Sequence, residues 1–375
     1  MTSAANPSSG RSARGEDLDA MRRAIVLAGS VRTMTAPNPW VGAVVVPKGT
    51  TDRFEGATAP PGGAHAEVAA LEAAGEKARG GTLYTTLEPC SHQGRTPPCV
   101  DAVLKSGIER VVVGILDPDP QVAGRGARLL EDGGVEVEIG VLAGEVEDLL
   151  APYLKHRRTG RPWVVLKLAA TLDGRIAAPD GSSKWITGEQ ARSDAHRLRA
   201  ESGAVLVGAG TVRIDDPALT VRLALPSVDA ELPAANALGG DEQEDQQAAQ
   251  PLRVVLGEAP SGARVHPALE MSGDLGEILD ELGKRGVLQL LVEGGARVAH
   301  SFHASRLVDR YVIYLAPSLF GGNDALPMFS GPGAATVEEL WRGDLVSVAQ
   351  LGSDVRIELA PVSSPDGGGT VGEAA

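Results

Sequence analysis

Cysteine is almost missing from this 375-residue chain. Only Cys90 and Cys99 occur, so a scaffold stapled by several disulfides is excluded. For the pair itself, metal ligation or two inert thiols is favoured over a single bridge. Long apolar runs are also lacking: none approaches the roughly 18 residues of a membrane span. Met1–Gly15 is small, polar and Ser/Gly-rich, without the apolar core of a signal peptide. A soluble cytoplasmic protein is therefore expected. A basic stripe is absent too, since 35 Lys+Arg stand against 49 Asp+Glu for a formal charge of -14, which repels phosphate backbones. The short run Lys155, His156, Arg157, Arg158 reads as the last turn of a helix, where cations suit the macrodipole. Nucleic acid and membrane are thus not expected as partners, and no internal repeat is found.

What the chain does contain is a repeated alternation of short apolar strands and amphipathic helices over about twice the usual domain length. Apolar positions from Asp17 to Ser30 recur at helical spacing until Pro37-Asn38-Pro39 interrupts them. A strand over 40–46, a Gly/Pro loop to Gly63, a helix over 64–79 and a strand over 82–87 follow. Next come a short helix from Cys99, a strand over 110–116, a helix over 126–132, a strand over 135–141 and a helix over 144–158. This order implies an α/β layered domain with a buried, largely parallel sheet. Thr159-Gly-Arg-Pro162 marks a boundary. Beyond it, strands over 163–169, 204–207, 252–256, 288–292 and 310–315, helices after Gly188, Gly273 and Gly295, and a closing hairpin over 345–361 build a second α/β domain. The expected organisation is a flexible 1–14, domains over 15–158 and 161–362, a mobile acidic insertion over 225–250 and a flexible tail over 363–375.

His65-Ala-Glu67 opens one helix, and Pro89-Cys90 with Cys99 lies at the mouth of another. Taken alone, His65 would be a helix cap and the cysteines buried apolar side chains. Together, and in strand-helix order, they match the zinc deaminase pattern, in which one His and two Cys hold the metal while a Glu shuttles protons. Three protein ligands leave a fourth tetrahedral position for water, and the cation lowers that water's pKa to roughly 7. Glu67 is the candidate catalytic acid/base; His65, Cys90 and Cys99 are the candidate Zn²⁺ ligands. A helix N-terminus beside the thiolates favours their charged form. Eight residues separate the cysteines, whereas most zinc deaminases have two.

That longer spacing lies within Thr86-Leu-Glu-Pro-Cys-Ser-His-Gln-Gly-Arg-Thr-Pro-Pro-Cys99, which closely resembles the signature of the deaminases of riboflavin biosynthesis. Pro37-Asn-Pro-Trp-Val-Gly42 and Asp117-Pro-Asp-Pro-Gln-Val-Ala-Gly-Arg-Gly126 are similar to the same family. The resemblance implies a cytidine-deaminase-like three-layer α/β/α domain. By it, Asn38 should hydrogen-bond the pyrimidine, while His92, Arg95, Asp117 and Asp119 should lie around a ribose phosphate. Thr58 and Asp119 stand where that family usually has His and Asn.

In the second half, Lys167-Leu-Ala-Ala-Thr-Leu-Asp-Gly-Arg175, Ser183-Lys-Trp-Ile-Thr187, Gly208-Ala-Gly-Thr211 and Asp215-Asp-Pro-Ala-Leu-Thr-Val-Arg222 resemble the reductase part of the same bifunctional enzymes. That implies a dihydrofolate-reductase-like α/β domain. Gly208, Gly210 and Gly294-Gly295 follow strands, and such glycines let backbone N–H groups approach a pyrophosphate. From the resemblance, Ala169, Trp185, Thr211, Asp215, Gly294, Gly295, Ala296, Arg297, Val298, Ala299 and His300 should contact NADPH. Ser183, Arg199, Leu219, Arg222 and Glu293 should hold the phosphorylated substrate, with the arginines acting as planar forks. Glu293-Gly-Gly-Ala-Arg-Val-Ala299 departs from the family's Gly-Gly-Pro-Thr-Leu.

The resemblance therefore implies two consecutive reactions on ribosylaminopyrimidine phosphates. The first is zinc-dependent deamination of 2,5-diamino-6-ribosylamino-4(3H)-pyrimidinone 5′-phosphate. The second is NADPH-dependent reduction of 5-amino-6-(5-phosphoribosylamino)uracil to the ribitylamino compound. It also suggests a homo-oligomer joined through the reductase domain. A rival reading keeps a zinc deaminase of a related pterin or nucleobase beside an inactive second domain. Another makes the zinc purely structural, although a closed structural site needs a fourth protein ligand rather than a free carboxylate.

Overall fold

The computed structural model describes the backbone of residues 7–94, 97–119, 122–222 and 250–362, with side chains from 15 onward. The acidic stretch 225–250, apart from Gln250, and residues 363–375 lie outside the described residues. Two compact units form. One comprises the chain up to Pro162 together with Leu282–Leu288; the other comprises Trp163–Glu281 and the chain from Gln289 onward.

The first unit runs α1 (Pro7–Ser30), β1 (Gly42–Val46), β2 (Phe54–Ala57), α2 (Ala66–Ala74), β3 (Thr82–Leu87), α3 (Cys99–Ser106), β4 (Arg110–Ile115), α4 (Arg125–Asp132), β5 (Glu136–Ile139) and α5 (Ala143–Thr159). Helix α1 thus takes in residues 7–14, assigned to a flexible lead-in from sequence. The sheet order is β2-β1-β3-β4-β5. Strand β1 is antiparallel to both neighbours, and β3, β4 and β5 are parallel. The sheet is therefore mixed rather than largely parallel. Strand β2 escaped the sequence reading because four residues containing Gly56, set among Gly and Pro, show no usable alternation.

Alternation does the rest, because successive strand side chains point to opposite faces. Val44, Tyr84 and Val112 meet Ala20, Met21, Ala24 and Leu27 of α1. Their neighbours Ala43, Val45, Leu83, Val111 and Val113 join the core that includes Ala66 and Ala70 of α2 and Val100 and Val103 of α3. Helix α1 lies so close that a Cβ on Gly42 would fall 2.0 Å from the Ala24 carbonyl oxygen. Because β3 and β4 are parallel, their carboxyl ends share one edge of the sheet, the usual place for a ligand site in such folds. From that edge emerge Glu88–Cys90 and Asp117–Asp119. Helix α5 ends with His156, Arg157 and Arg158 in its last turn, capped by Gly160 in the left-handed region.

The second unit continues with β6 (Trp163–Thr171), β7 (Arg175–Ala177), α6 (Glu189–Ala200), β8 (Ala204–Gly208), α7 (Ala209–Asp215), β9 (Leu252–Leu256), β10 (Leu269–Met271), α8 (Leu275–Lys284), β11 (Gln289–Val292), α9 (Ala296–Ala304), β12 (Arg310–Ala316), β13 (Leu326–Pro327), β14 (Gly343–Leu351) and β15 (Asp354–Pro361). Eight strands form one sheet in the order β10-β9-β8-β11-β6-β12-β15-β14. All neighbours are parallel from β10 to β12, and β15 and β14 add an antiparallel hairpin. The central strands are buried on both faces and therefore read as continuous apolar runs. Strands β7, β10 and β13 are too short to register as periodic segments. Helix α7 is not among the helices expected from sequence, because it is only seven residues long and starts on Ala209-Gly210.

Candidate active sites

His65 caps α2 in an extended conformation, so its ring stands off the helix end while Glu67 lies in the first turn. Cys90 follows β3, and Cys99 is the first residue of α3. The loop between them closes on itself: the Cys99 amide donates to the Cys90 sulfur at 3.3 Å, and the Val100 amide donates to the Cys90 carbonyl at 3.3 Å. As a result His65 Nδ1 sits 3.2 Å from Cys99 Sγ and 3.5 Å from Cys90 Sγ, with the sulfurs 3.4 Å apart. A tetrahedral zinc bound at ordinary distances spaces two sulfurs by about 3.8 Å and nitrogen from sulfur by about 3.6 Å. The three side chains fit that cation after shifts of a few tenths of an ångström, and they form a ligand group with one imidazole and two thiols.

Electrostatics agree with a cation site. Hydrogen bonds from the Cys99 thiol and from His65 and the Cys99 amide pull the Cys90 thiol down to about 4, so it is held as thiolate. Its neighbour Cys99 is pushed up by the hydrogen bond it shares with Cys90 and by burial. Glu67 is only 4% exposed. Burial, and then the Cys90 charge, raise its carboxyl to about 7. It stands beside the ligands without belonging to the group that could hold the metal.

Around this centre the sequence-derived residues divide. Asn38 sits half-buried in the proline turn, its amide bonded to the Thr35 carbonyl at 2.9 Å. His92 is exposed in the loop between the cysteines, and Arg95 in the same loop lies outside the described residues. Asp117 turns inward: it is buried, and its carboxylate accepts from the Tyr153 hydroxyl at 2.9 and 3.1 Å and from the Asp119 amide at 2.9 Å. It shapes the turn that carries Asp119 instead of facing outward itself. Thr58 is buried as well, exchanging hydrogen bonds with the Val41 backbone. Glu88 was quoted in the signature loop without a role, yet it is 3% exposed and takes four backbone amides on its carboxylate. No periodic or spacing signal could have found it, since all four donors lie 29–39 residues away.

In the second unit a cavity of about 840 Å³ opens between β6, α6, α7 and the 215–222 segment. Its lining includes Ala169, Trp185, Thr211, Asp215, Gly294 and Gly295 of the expected cofactor residues, and Ser183, Arg199, Leu219, Arg222 and Glu293 of the expected substrate residues. The Gly295 amide donates to Thr211 Oγ1 at 3.2 Å, joining α7 to the start of α9. Ala296, Arg297, Val298, Ala299 and His300 do not line the cavity. They are already helical. Ala296 and Ala299 are buried in the core, and Arg297 is exposed. Val298 packs over Gly294 and Gly208, and His300 lies against Gly331.

Arg199 does not present an open fork. Both its Nε and Nη2 donate to Glu293, the latter at 2.9 Å, and Nη1 reaches the Thr220 carbonyl at 3.4 Å. Burial would raise the Glu293 carboxyl, but Arg199 and then Lys167, whose ammonium is 3.7 Å away, hold it below its ordinary value. Lys167 is therefore part of the cavity's charge cluster, a role that its place in a matched motif did not reveal. Arg222 is exposed, with Nε 3.4 Å from Thr220 Oγ1. At the rim Trp185 is 71% exposed and stacked by Arg192, 4.6 Å from the ring centre.

A His-Cys-Cys group with a buried carboxylate at the carboxyl edge of an α/β/α sheet defines a zinc-dependent deaminase. The second unit, with glycines at a helix start facing a large cavity, has the form of a nucleotide-cofactor enzyme. Residues 14–115 match the cytidine and deoxycytidylate deaminase zinc-binding region, and residues 162–357 match the RibD C-terminal domain. The riboflavin biosynthesis protein RibD of Bacillus amyloliquefaciens is 39% identical over 92% of this chain and 97% of its own. That of Escherichia coli (strain K12) is 38% identical over 90% and 98%. A solved RibD of Acinetobacter baumannii superposes with a TM-score of 0.83 at 37% identity, covering 93% of this chain and all of its own. The chain belongs to the RibD family of bifunctional riboflavin-biosynthesis deaminase/reductases. It is a hydrolase and an oxidoreductase in one chain, with zinc serving the first activity and NADPH the second.

Proposed function

We propose that the first unit releases ammonia from 2,5-diamino-6-ribosylamino-4(3H)-pyrimidinone 5′-phosphate, and that the second reduces the resulting 5-amino-6-(5-phosphoribosylamino)uracil to its ribitylamino form. The observation that carries the first step is the buried Glu67 carboxylate standing next to three ligands while remaining outside their set. His65, Cys90 and Cys99 would hold zinc, which would supply Lewis acidity to the attacking water. Glu67 takes the proton of the attacking water and passes one to the substrate ring nitrogen. It then takes the proton of the newly added hydroxyl and delivers it to the departing amine, so that C–N cleavage leaves a carbonyl and ammonia. Asn38 orients the pyrimidine, and His92, Arg95 and the Asp117–Asp119 turn face the ribose phosphate, with Asp117 acting through the turn.

Opening the ribosyl ring and reducing C1′ requires a hydride at that carbon and a proton on the ring oxygen that leaves it. NADPH supplies the hydride. Gly294, Gly295 and Thr211 receive its phosphates at the start of α9, with Ala169, Trp185 and Asp215 beside it. Ser183, Leu219 and Arg222 hold the substrate, and Arg222 is the fork for its phosphate. Lys167, facing Glu293, delivers the proton, while Arg199 fixes Glu293. Lys167→Met should abolish NADPH oxidation on the deaminated substrate and leave ammonia release intact; retained oxidation would remove Lys167 from this role.

We place the enzyme in the cytoplasm. Supporting this are two free cysteines and, among the described residues, no helix long and apolar enough to cross a membrane. Self-association through the second unit is supported by Leu345, Val346 and Val348, which are exposed on the edge strand β14. Sedimentation of Leu345→Asp against the unaltered protein tests it.

A further inference from the structure

Glu88 occupies the position between the end of β3 and Pro89-Cys90, with its own amide continuing the β3–β4 ladder to the Ile115 carbonyl at 3.0 Å. Its side chain is buried, and both oxygens are filled by main-chain donors. Oε2 accepts from Asp117 at 3.2 Å and Gly124 at 2.9 Å; Oε1 accepts from Gly126 at 2.8 Å and Ala127 at 3.2 Å. A carboxylate offers about four lone-pair directions, and these donors use them all. Asp117 and Gly124 stand at the two ends of the connection from β4 to α4, while Gly126 and Ala127 belong to the first turn of α4, whose end attracts negative charge. Helix α4 is seated on the same residues: a Cβ on Gly126 would fall 2.1 Å from the Pro89 carbonyl oxygen.

One carboxylate therefore ties both ends of the connection, Asp117 and Gly124, and the first turn of α4 to the residue that leads into the Cys90 ligand. We propose that Glu88 is a positioning residue of the deaminase. It fixes the turn bearing Asp119, where the ribose phosphate is read, at a set distance from the metal centre. This rests on the substrate placement given above. Glutamine at 88 keeps the shape but turns an NH₂ toward two N–H donors, so the connection must open on that side.

The test uses the full chain, zinc-loaded, with the diaminopyrimidine ribosyl phosphate as substrate. Glu88→Gln should keep one zinc per chain and full reductase activity on the deaminated substrate. Its deaminase KM should rise about tenfold or more while kcat stays within about threefold. An unchanged KM, or a kcat that falls only in proportion to lost zinc at constant KM, overturns the proposal and leaves Glu88 a part of the fold alone. Should Glu88→Gln fail to fold, Glu88→Asp decides, because the shorter carboxylate keeps its charge but cannot reach all four donors: a KM rise upholds positioning, and a constant KM overturns it. Asp119→Asn separates the premise from the inference. A shifted KM there with a constant KM in Glu88→Gln sinks only the positioning role, whereas no shift in Asp119→Asn sinks the substrate placement.

Discussion

Replacing Arg199 by Leu removes the guanidinium but leaves Glu293 in place, with its side chain only 7% exposed. Breaking a buried pair from one side costs about 3–5 kcal/mol, because the remaining charge has lost its partner. Two features of the cavity reduce that loss. Lys167 still lies 3.7 Å from Glu293, and the carboxyl can take up a proton. The lower end, about 3 kcal/mol, is therefore expected at pH 7. For a unit of roughly 200 residues, where 1 kcal/mol moves Tm by about 2–4 °C, the shift is about 6–12 °C. The sign with pH follows from the direction of the shift. In the unaltered protein Glu293 is held below its unfolded value, so its contribution is present above that value and is lost as pH falls through the folded one. In Arg199→Leu, burial is opposed by Lys167 and His196 without the main partner, the carboxyl moves upward, and acid relieves the strain of charging it. The difference in Tm between the two proteins should thus narrow between pH 7 and pH 5. Scanning calorimetry at both values reads it. A Tm within about 1 °C of the unaltered protein, or a gap that widens in acid, would mean that Glu293 is not left as an unpaired buried charge. Arg199→Met combined with Glu293→Met and Lys167→Met should recover most of the stability, since an apolar cluster of similar volume leaves no unpaired charge, Lys167 being the other cation beside Glu293.

Other expectations follow from the first unit. Glu67→Gln should retain zinc by metal analysis and lose about 10²–10⁴ in the rate of ammonia release, with NADPH oxidation on deaminated substrate unchanged. Cys99→Ala should not hold zinc in equilibrium dialysis and should release no ammonia, because only one imidazole and one thiol remain of the ligand group. Chelation of the unaltered protein should likewise stop deamination while leaving the reductase active. Arg222→Ala should raise the reductase KM without changing deamination, as measured with each substrate separately.

The metal centre was legible in the sequence because its chemistry is local. His65 and Glu67 share one helix start, and the two cysteines bracket one loop, so residue type and spacing carry the information. Buried strands such as β4 and β8, continuous in Val, Ile and Leu, were equally plain. What escaped depends on partners distant in sequence. Arg199 reads as a phosphate fork until the fold brings Glu293 to it across 94 positions. Asp117 reads as a ligand until Tyr153, 36 residues on, takes its oxygens. The helix after Gly295 was legible, but which of residues 296–300 face the cavity was not, because Ala296 and Ala299 have a core to fill. Strand direction in the first sheet differs from the expectation for a related reason: β2 is too short to announce itself, so the β1–β2 hairpin that turns the chain back and sets β1 antiparallel to β3 as well leaves no periodic trace.

One chain is expected to perform the two reactions in order. Zinc-loaded protein is incubated with the diaminopyrimidine ribosyl phosphate, with and without NADPH, while ammonia and cofactor absorbance are followed together. Ammonia should appear in both reactions, and NADPH should be oxidised only after a lag that matches ammonia release. Oxidation without prior ammonia, or neither signal from zinc-replete protein, would contradict it.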